Sequence, residues 1–339
     1  MDRAGPVGVR SLRIRLRHVQ LALGALWLLD GALQLQPFMF TPAFVARILA
    51  PVAQGQPAPI GQSITAMAHF VAPHVALWNL AFALIQVALG LGFLWKRTVR
   101  PTIVASVAWS LLVWWFAEGF GGLLTGGATP VTGAPGAVLL YALIAVVAWP
   151  RSGGQPTATS AAAGGLLGDR GTRAIWAVVW ATGAVLVLLP PNRAPGAIAS
   201  TIAAAAAGEP SWLRGVQLPV AHLLSGQGLA LAAGLSALQL AIGLGALFGR
   251  TGNLAVGMGA LLATAFWVLG QSLGGILTST GTDPNTGPLL VLLGAALLTP
   301  VLLPHPLGIG RRPQWSGRGP GGGARATGRA GERLDGPPA

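Results

Sequence analysis

The chain has 339 residues, 53% of them hydrophobic and only 9% charged, with a formal net charge of +13. A soluble fold of that composition would leave large apolar patches in water, so the composition points to a membrane protein. The absence of cysteine excludes disulfides, thiolate metal sites and cysteine redox chemistry. The positive charge gathers beside apolar runs and in the tail, a pattern of membrane topology rather than a base-reading surface, and it excludes a nucleic-acid partner.

In chain order, residues 1–18 are a basic leader in which Arg10, Arg13, Arg15 and Arg17 precede the first apolar run. Apolar segments follow near 19–36, 75–95, 101–121 and 135–149, then near 174–190, 228–248, 252–273 and 288–304. Each is read as a membrane-crossing helix, because a hydrocarbon core of roughly 30 Å takes about 20 apolar residues. The last segment of each set is short. Residues 43–53, 60–72, 196–207 and 212–224 carry apolar side chains at helical spacing, which predicts short helices lying at the membrane surface. Alternatively, Pro73 kinks a long second span. Residues 151–173 read as a polar linker, and 307–339, rich in Gly, Pro and Arg, as a disordered basic tail.

Lysine and arginine set the orientation. The leader, 96–100, 151–173, Arg250 and the tail are basic, whereas the loops at 37–74, 122–134, 191–227 and 274–287 contain only Arg47, Arg193 and Arg214. The expectation is a multi-pass protein of the cell's inner (plasma) membrane with both termini cytoplasmic and its basic side against anionic lipid.

Shifted by 153 residues, the sequence superposes on itself: Trp27 falls on Trp180, Pro37 on Pro190, Gly55 on Gly208, His69 on His222, Gln86 on Gln239, Arg97 on Arg250, Gly122 on Gly275 and Thr125 on Thr278. One extra residue then pairs Thr132-Gly133 with Thr286-Gly287. So long a period means a duplicated half rather than a solenoid unit. The predicted fold is therefore all-α: eight transmembrane helices as two tandem four-helix bundles, 19–150 and 174–306. Four spans per half make the repeat parallel. The first segment is a retained span rather than a cleaved signal, since its counterpart at 174–190 is internal.

Each half has a first span such as LGALWLLDGALQLQP and a second that ends in small residues before a basic turn, LIQVALGLGFLWKR and LQLAIGLGALFGR. This resembles the DoxX-like four-helix membrane proteins, in duplicate. That family's first span ends in Gly-x-x-Lys-Leu before Pro, and its second reads Glu-x-x-x-Gly-x-x-Leu-x-x-Gly. Here Gln34 stands at the lysine position, and Gln86 and Gln239 at the glutamate position. The resemblance implies a membrane subunit of a quinone-linked redox system, with quinone as the implied cofactor and a partner redox subunit to supply electrons.

Ionisable groups inside a span are costly and mark candidate sites. Asp30 lies in the first span opposite Gly183 of the second copy, and Glu118 at the end of the third span opposite Gln271. If the first and third spans pack, both carboxylates approach one cavity, where they would accept protons or hold a cation. Asp30, Glu118, Gln34, Gln86 and Gln271 are the candidate ligand-binding residues, and Asp30 and Glu118 the candidates for chemistry. The structural alternative makes Glu118 an interfacial acid that an amide replaces, and Asp30 an inter-helix hydrogen-bonding group or a partner of Arg13 to Arg17. His69 and His74 are weak candidates for a metal site, which needs three or four convergent ligands; no metal is expected. Gly121-Gly122 and Gly274-Gly275 open the most faithful part of the repeat, as anion-binding amides or, preferably, as tight turns. Trp78, Trp114, Trp115 and Trp267 read as an interfacial belt. Two further functions remain open beside the redox reading: a small-solute or lipid transporter with its site between the halves, and a scaffold without chemistry.

Overall fold

Backbone groups in an apolar surround must be satisfied internally, which an α-helix does within one segment. In the computed structural model, which describes residues 14–151, 160–249 and 251–299, each of the eight apolar segments is helical. In chain order the helices are α1 (Leu16–Gln34), α2 (Ala58–Val71), α3 (Val75–Gly92), α4 (Val99–Phe116) and α5 (Ala137–Val147). They continue as α6 (Gly168–Val187), α7 (Ala197–Ala205), α8 (Ser211–Leu223), α9 (Leu229–Gly245), α10 (Gly252–Leu269) and α11 (Thr286–Leu297). Short helical turns run from Pro37 to Ala53. The described residues contain no β-strand, only an isolated bridge between Pro150 and Gly165.

Three stretches among the described residues are long and apolar enough to cross a membrane: Ala58–Gly92, Val99–Phe116 and Gly252–Thr278. The first joins α2 to α3 through a tight turn, Ala72–His74, so Pro73 bends a nearly continuous rod, as expected where proline removes a backbone donor. In the second half a turn separates α8 from α9, and Gly226 there has φ +80°. The long rod is a property of the first half alone.

Two boundaries differ from the expectation. Helix α6 begins at Gly168, inside the stretch read as the linker 151–173. Its charges are satisfied locally: Arg173 pairs with Asp169 at 2.6 Å and donates to the Ala246 carbonyl of α9 at 2.7 Å. Ser160 donates to Asp169 at 2.9 Å, so this polar segment folds against the bundle instead of hanging free. Arg10, Arg13, Arg250, residues 152–159 and the tail 307–339 lie outside the described residues.

Helix α1 packs on α3 and α4 on α5, just as α6 packs on α9 and α10 on α11. The short helices α5 and α11 meet in the middle, with α1 and α6 beside them. Trp27 and Tyr141, ring centroids 4.4 Å apart, and Trp176 and Leu293 are fully buried there. At 1.5 Å per residue the 11 residues of α5 reach only about 16 Å, short of a hydrocarbon core. The non-helical stretch before it is buried as well: of residues 128–136 only Thr132 is exposed. Irregular backbone is tolerated at such depth where protein surrounds it.

The glycine pairs start these inward stretches. Gly119, Phe120, Gly121 and Gly122 all have positive φ, and so do Ser272, Leu273, Gly274 and Gly275. A left-handed turn of four residues reverses the chain, and a Cβ on Gly121 or Gly274 would run into the backbone of Pro135 or Asp283. The indole N–H of Trp114 then holds the Pro135 carbonyl at 2.8 Å, and that of Trp267 holds Pro284 at 2.7 Å. These pairs fill turn and packing roles. Each inward stretch also reaches into the other half. Asn192 and Gln271 donate to the carbonyls of Ala128 and Pro130 at 2.9 and 3.3 Å, while Gln36 donates to that of Gly281 at 3.1 Å.

Candidate functional site

Between α1, α2, α3 and α4 lies a cavity of about 220 Å³. Its walls are aromatic. Phe70 and Trp78 have ring centroids 4.8 Å apart, Trp78 and Phe82 6.4 Å, and Phe82 and Trp109 5.8 Å, so the faces form a continuous ladder. On one side the cavity is bounded by Phe70 of α2 and Leu112 of α4, which are 58% and 53% exposed on the outside of the helix bundle. Side chains exposed on the outside of the helices thus also line the inner cavity.

The polar end contains both predicted acids. Asp30 lies one turn from the end of α1 and is 1% exposed. Glu118 follows directly on α4, and its Oε1 accepts from the backbone N–H of Ala137 at 3.0 Å and of Val138 at 3.2 Å. These are the first two residues of α5, where orphan N–H groups and the helix dipole favour an anion. Gln34 and Gln86 also line the cavity. The Oδ1 of Asp30, the Oε1 of Gln34 and Gln86 and the Oε2 of Glu118 are buried without a hydrogen-bond partner in the protein. So is the indole nitrogen of Trp109, while Tyr141, outside the lining, interacts with the Asp30 carboxyl.

The tertiary fold adds a third acid. Thr282 and Asp283, from the inward stretch of the second half, line the same cavity. The Asp283 carboxylate accepts from the Asn285 N–H at 2.7 Å and from the Thr282 hydroxyl at 2.9 Å. Burial pushes its carboxyl up from 3.8, and these two hydrogen bonds pull it partway back. Sequence reasoning missed Asp283 because it falls in a loop placed outside the membrane. The available signal was the repeat itself: one register shift sets Asp283 against Thr129, a third acid without an acidic counterpart. Three of the chain's 8 acidic residues thus line one cavity, and among the described residues no Lys, Arg or His does.

The second half holds no equal of this site. A Cβ on Gly183, opposite Asp30, would strike the Gln239 amide and approach Pro130, and one on Gly270 would strike Val131. The inward stretch of the first half therefore fills the matching space with apolar groups. Gln271 stands apart from the cavity. Its Oε1 accepts from the Gly287 N–H at 3.1 Å and its Nε2 donates to Thr286 at 2.9 Å, the same cap that Glu118 makes on α5. His69 and His74 are exposed and do not line the cavity, and no group of three metal-binding side chains occurs among the described residues. Trp78 lines the cavity wall, whereas Trp114 and Trp267 pin loops. Arg17 of α1 donates to the carbonyls of Phe93 and Leu94 at the other end of the helix, away from Asp30.

An apolar body fits the aromatic walls, and its polar head meets carboxylates and amides at one end. Of the groups a quinone could use, the lining offers the indole N–H of Trp109 and the amide N–H groups of Gln34 and Gln86. No family model, no curated protein and no solved structure matches this chain, so the site stands on its own geometry.

Proposed function

We propose that this chain is an eight-span protein of the inner membrane, two tandem four-helix bundles with both termini cytoplasmic, which binds a lipophilic small molecule within the first bundle. The observation that carries the ligand reading is the aromatic cavity ending in Asp30, Glu118 and Asp283, a cavity we read as opening sideways past Phe70 and Leu112. Duplication draws support from the matched left-handed turns, the matched tryptophan pins and the matched helix pairings. The eight spans draw support from eight apolar helices, two of them completed by buried inward stretches.

Buried polar groups with an apolar approach suit a molecule that partitions into lipid first and presents its head second. The experiment is extraction of the purified full chain and mass spectrometry of what it carries. We expect a lipophilic compound near one per chain, lost when Leu112→Trp blocks the opening. Equal content in both proteins would sink the reading. A second reading, a quinone-binding accessory of a partner redox protein in the manner of the DoxX-like resemblance, is favoured by the N–H donors that Trp109, Gln34 and Gln86 bring to the cavity lining. The same extraction separates the two, since a quinone has a distinctive mass and absorbance.

A further inference from the structure

Three acids, Asp30, Glu118 and Asp283, line the cavity, and what the protein sets beside them is neutral: the indole of Trp109 and the amides of Gln34 and Gln86. Asp30 Oδ1 and Glu118 Oε2 are buried without a protein donor, so the acids call for a positive charge. The side chains of Asp30, Gln34 and Gln86 are more than nine-tenths buried. Neighbouring side chains cannot answer this demand, because no basic residue among the described ones lines the cavity. A carboxylate in a low-dielectric site is stable only when paired or hydrogen-bonded.

The walls point the same way. Faces of Trp78, Phe82 and Trp109 stand in a ladder beside the acids, and aromatic faces attract cations by their quadrupole, most strongly when water is excluded. A quinone brings two carbonyl acceptors and no charge to set against three acids, whereas an alkylammonium head brings up to three N–H donors and a positive charge.

Deepening the lipophilic-ligand reading, on which it rests, we propose that the cavity selects a lipophilic organic cation. The ligand is an amine with an aromatic or alkyl body, its ammonium at the end of the cavity whose lining includes Asp30, Glu118 and Asp283. Two of these acids come from the first half and one from the second, so the head group bridges the halves. The body lies along the aromatic ladder toward Phe70.

The test uses the full chain in phosphatidylcholine nanodiscs at neutral pH, with empty nanodiscs subtracted for partitioning, and calorimetry as readout. Four probes are compared: 4-phenylbutylamine, the neutral 4-phenylbutanol, the anionic 4-phenylbutyrate, and decylubiquinone. We expect saturable binding of the amine, at least about tenfold tighter than of the alcohol, and none of the carboxylate. Asp30→Asn and Glu118→Gln should each weaken the amine about tenfold or more, while the remote Glu209→Gln leaves it unchanged. Glu118→Gln keeps the α5 cap in the way Gln271 caps α11, so it remains informative if Asp30→Asn does not fold. Binding of decylubiquinone or the alcohol as tightly as the amine overturns the cation inference and leaves the lipophilic-ligand reading standing. Binding of none of the four overturns both. Amine binding that survives Glu118→Gln at full strength also overturns the cation inference.

Discussion

Glu118 has two roles in this structure, and a pair of substitutions separates them. Its Oε1 accepts from the N–H groups of Ala137 and Val138 at 3.0 and 3.2 Å, while the residue also lines the cavity and its Oε2, packed against Gly136, has no hydrogen-bond partner. Glu118→Ala removes the only cap described on those two N–H groups and leaves them at a buried helix start. A hydrogen bond to a charged group contributes about 1.5–3 kcal/mol, and losing a helix cap alone costs about 1 kcal/mol. Because one carboxylate oxygen serves both donors, the two bonds do not add fully, and we expect a loss of about 3 kcal/mol. Glu118→Gln retains an accepting oxygen in the same place. The equivalent amide, Gln271, caps Gly287 at 3.1 Å, so the glutamine variant should lose no more than about 1 kcal/mol. The assay is reversible denaturant unfolding in lipid–detergent micelles, followed by tryptophan fluorescence. Equal losses in the two variants, or a loss below about 1 kcal/mol for alanine, would refute the capping argument. A glutamine variant that is stable yet deficient in ligand would assign stability to one carboxylate oxygen and binding to the other.

Trp114→Phe and Trp267→Phe each remove one indole donor from a loop carbonyl, Pro135 at 2.8 Å and Pro284 at 2.7 Å. Each should cost about 1 kcal/mol and speed amide exchange in its own inward stretch, and exchange that stays unchanged there would discount the pins. For Asp283, a carboxyl pushed up from 3.8 in the folded chain binds its proton more tightly than in the unfolded chain. Its contribution to stability is therefore fullest below the unfolded value and falls as pH rises through the folded one. Asp283→Asn should thus gain on the natural chain as pH rises above the unfolded value of 3.8, read as a widening gap in unfolding midpoints, and a constant gap would contradict the burial argument.

Much of this was legible in the residues. Asp30, Glu118, Gln34 and Gln86 do line one cavity, because each interrupts an apolar run and helical spacing turns it inward. Gln271 was grouped with them from its equivalence to Glu118, yet its amide is spent on a cap; the repeat specifies a position, and the neighbours decide its use. Trp78 looked like an interfacial residue, since periodicity cannot tell a lipid-facing indole from one that walls an inner space. The start of α6 was placed late because Asp169 and Arg173 look like linker charges until their pairing is known.

By itself the sequence determined the helices and their apolar character, since these follow from local propensity and hydropathy readable along the chain. Only the tertiary structure decided that the two inward stretches cross between the halves. One brings Pro130 and Val131 to fill the second bundle, and the other brings Asp283 to complete a cavity in the first. That outcome depends on which long-range surfaces meet. A loop's hydropathy records neither the surface it will be pressed against nor the charge already waiting there.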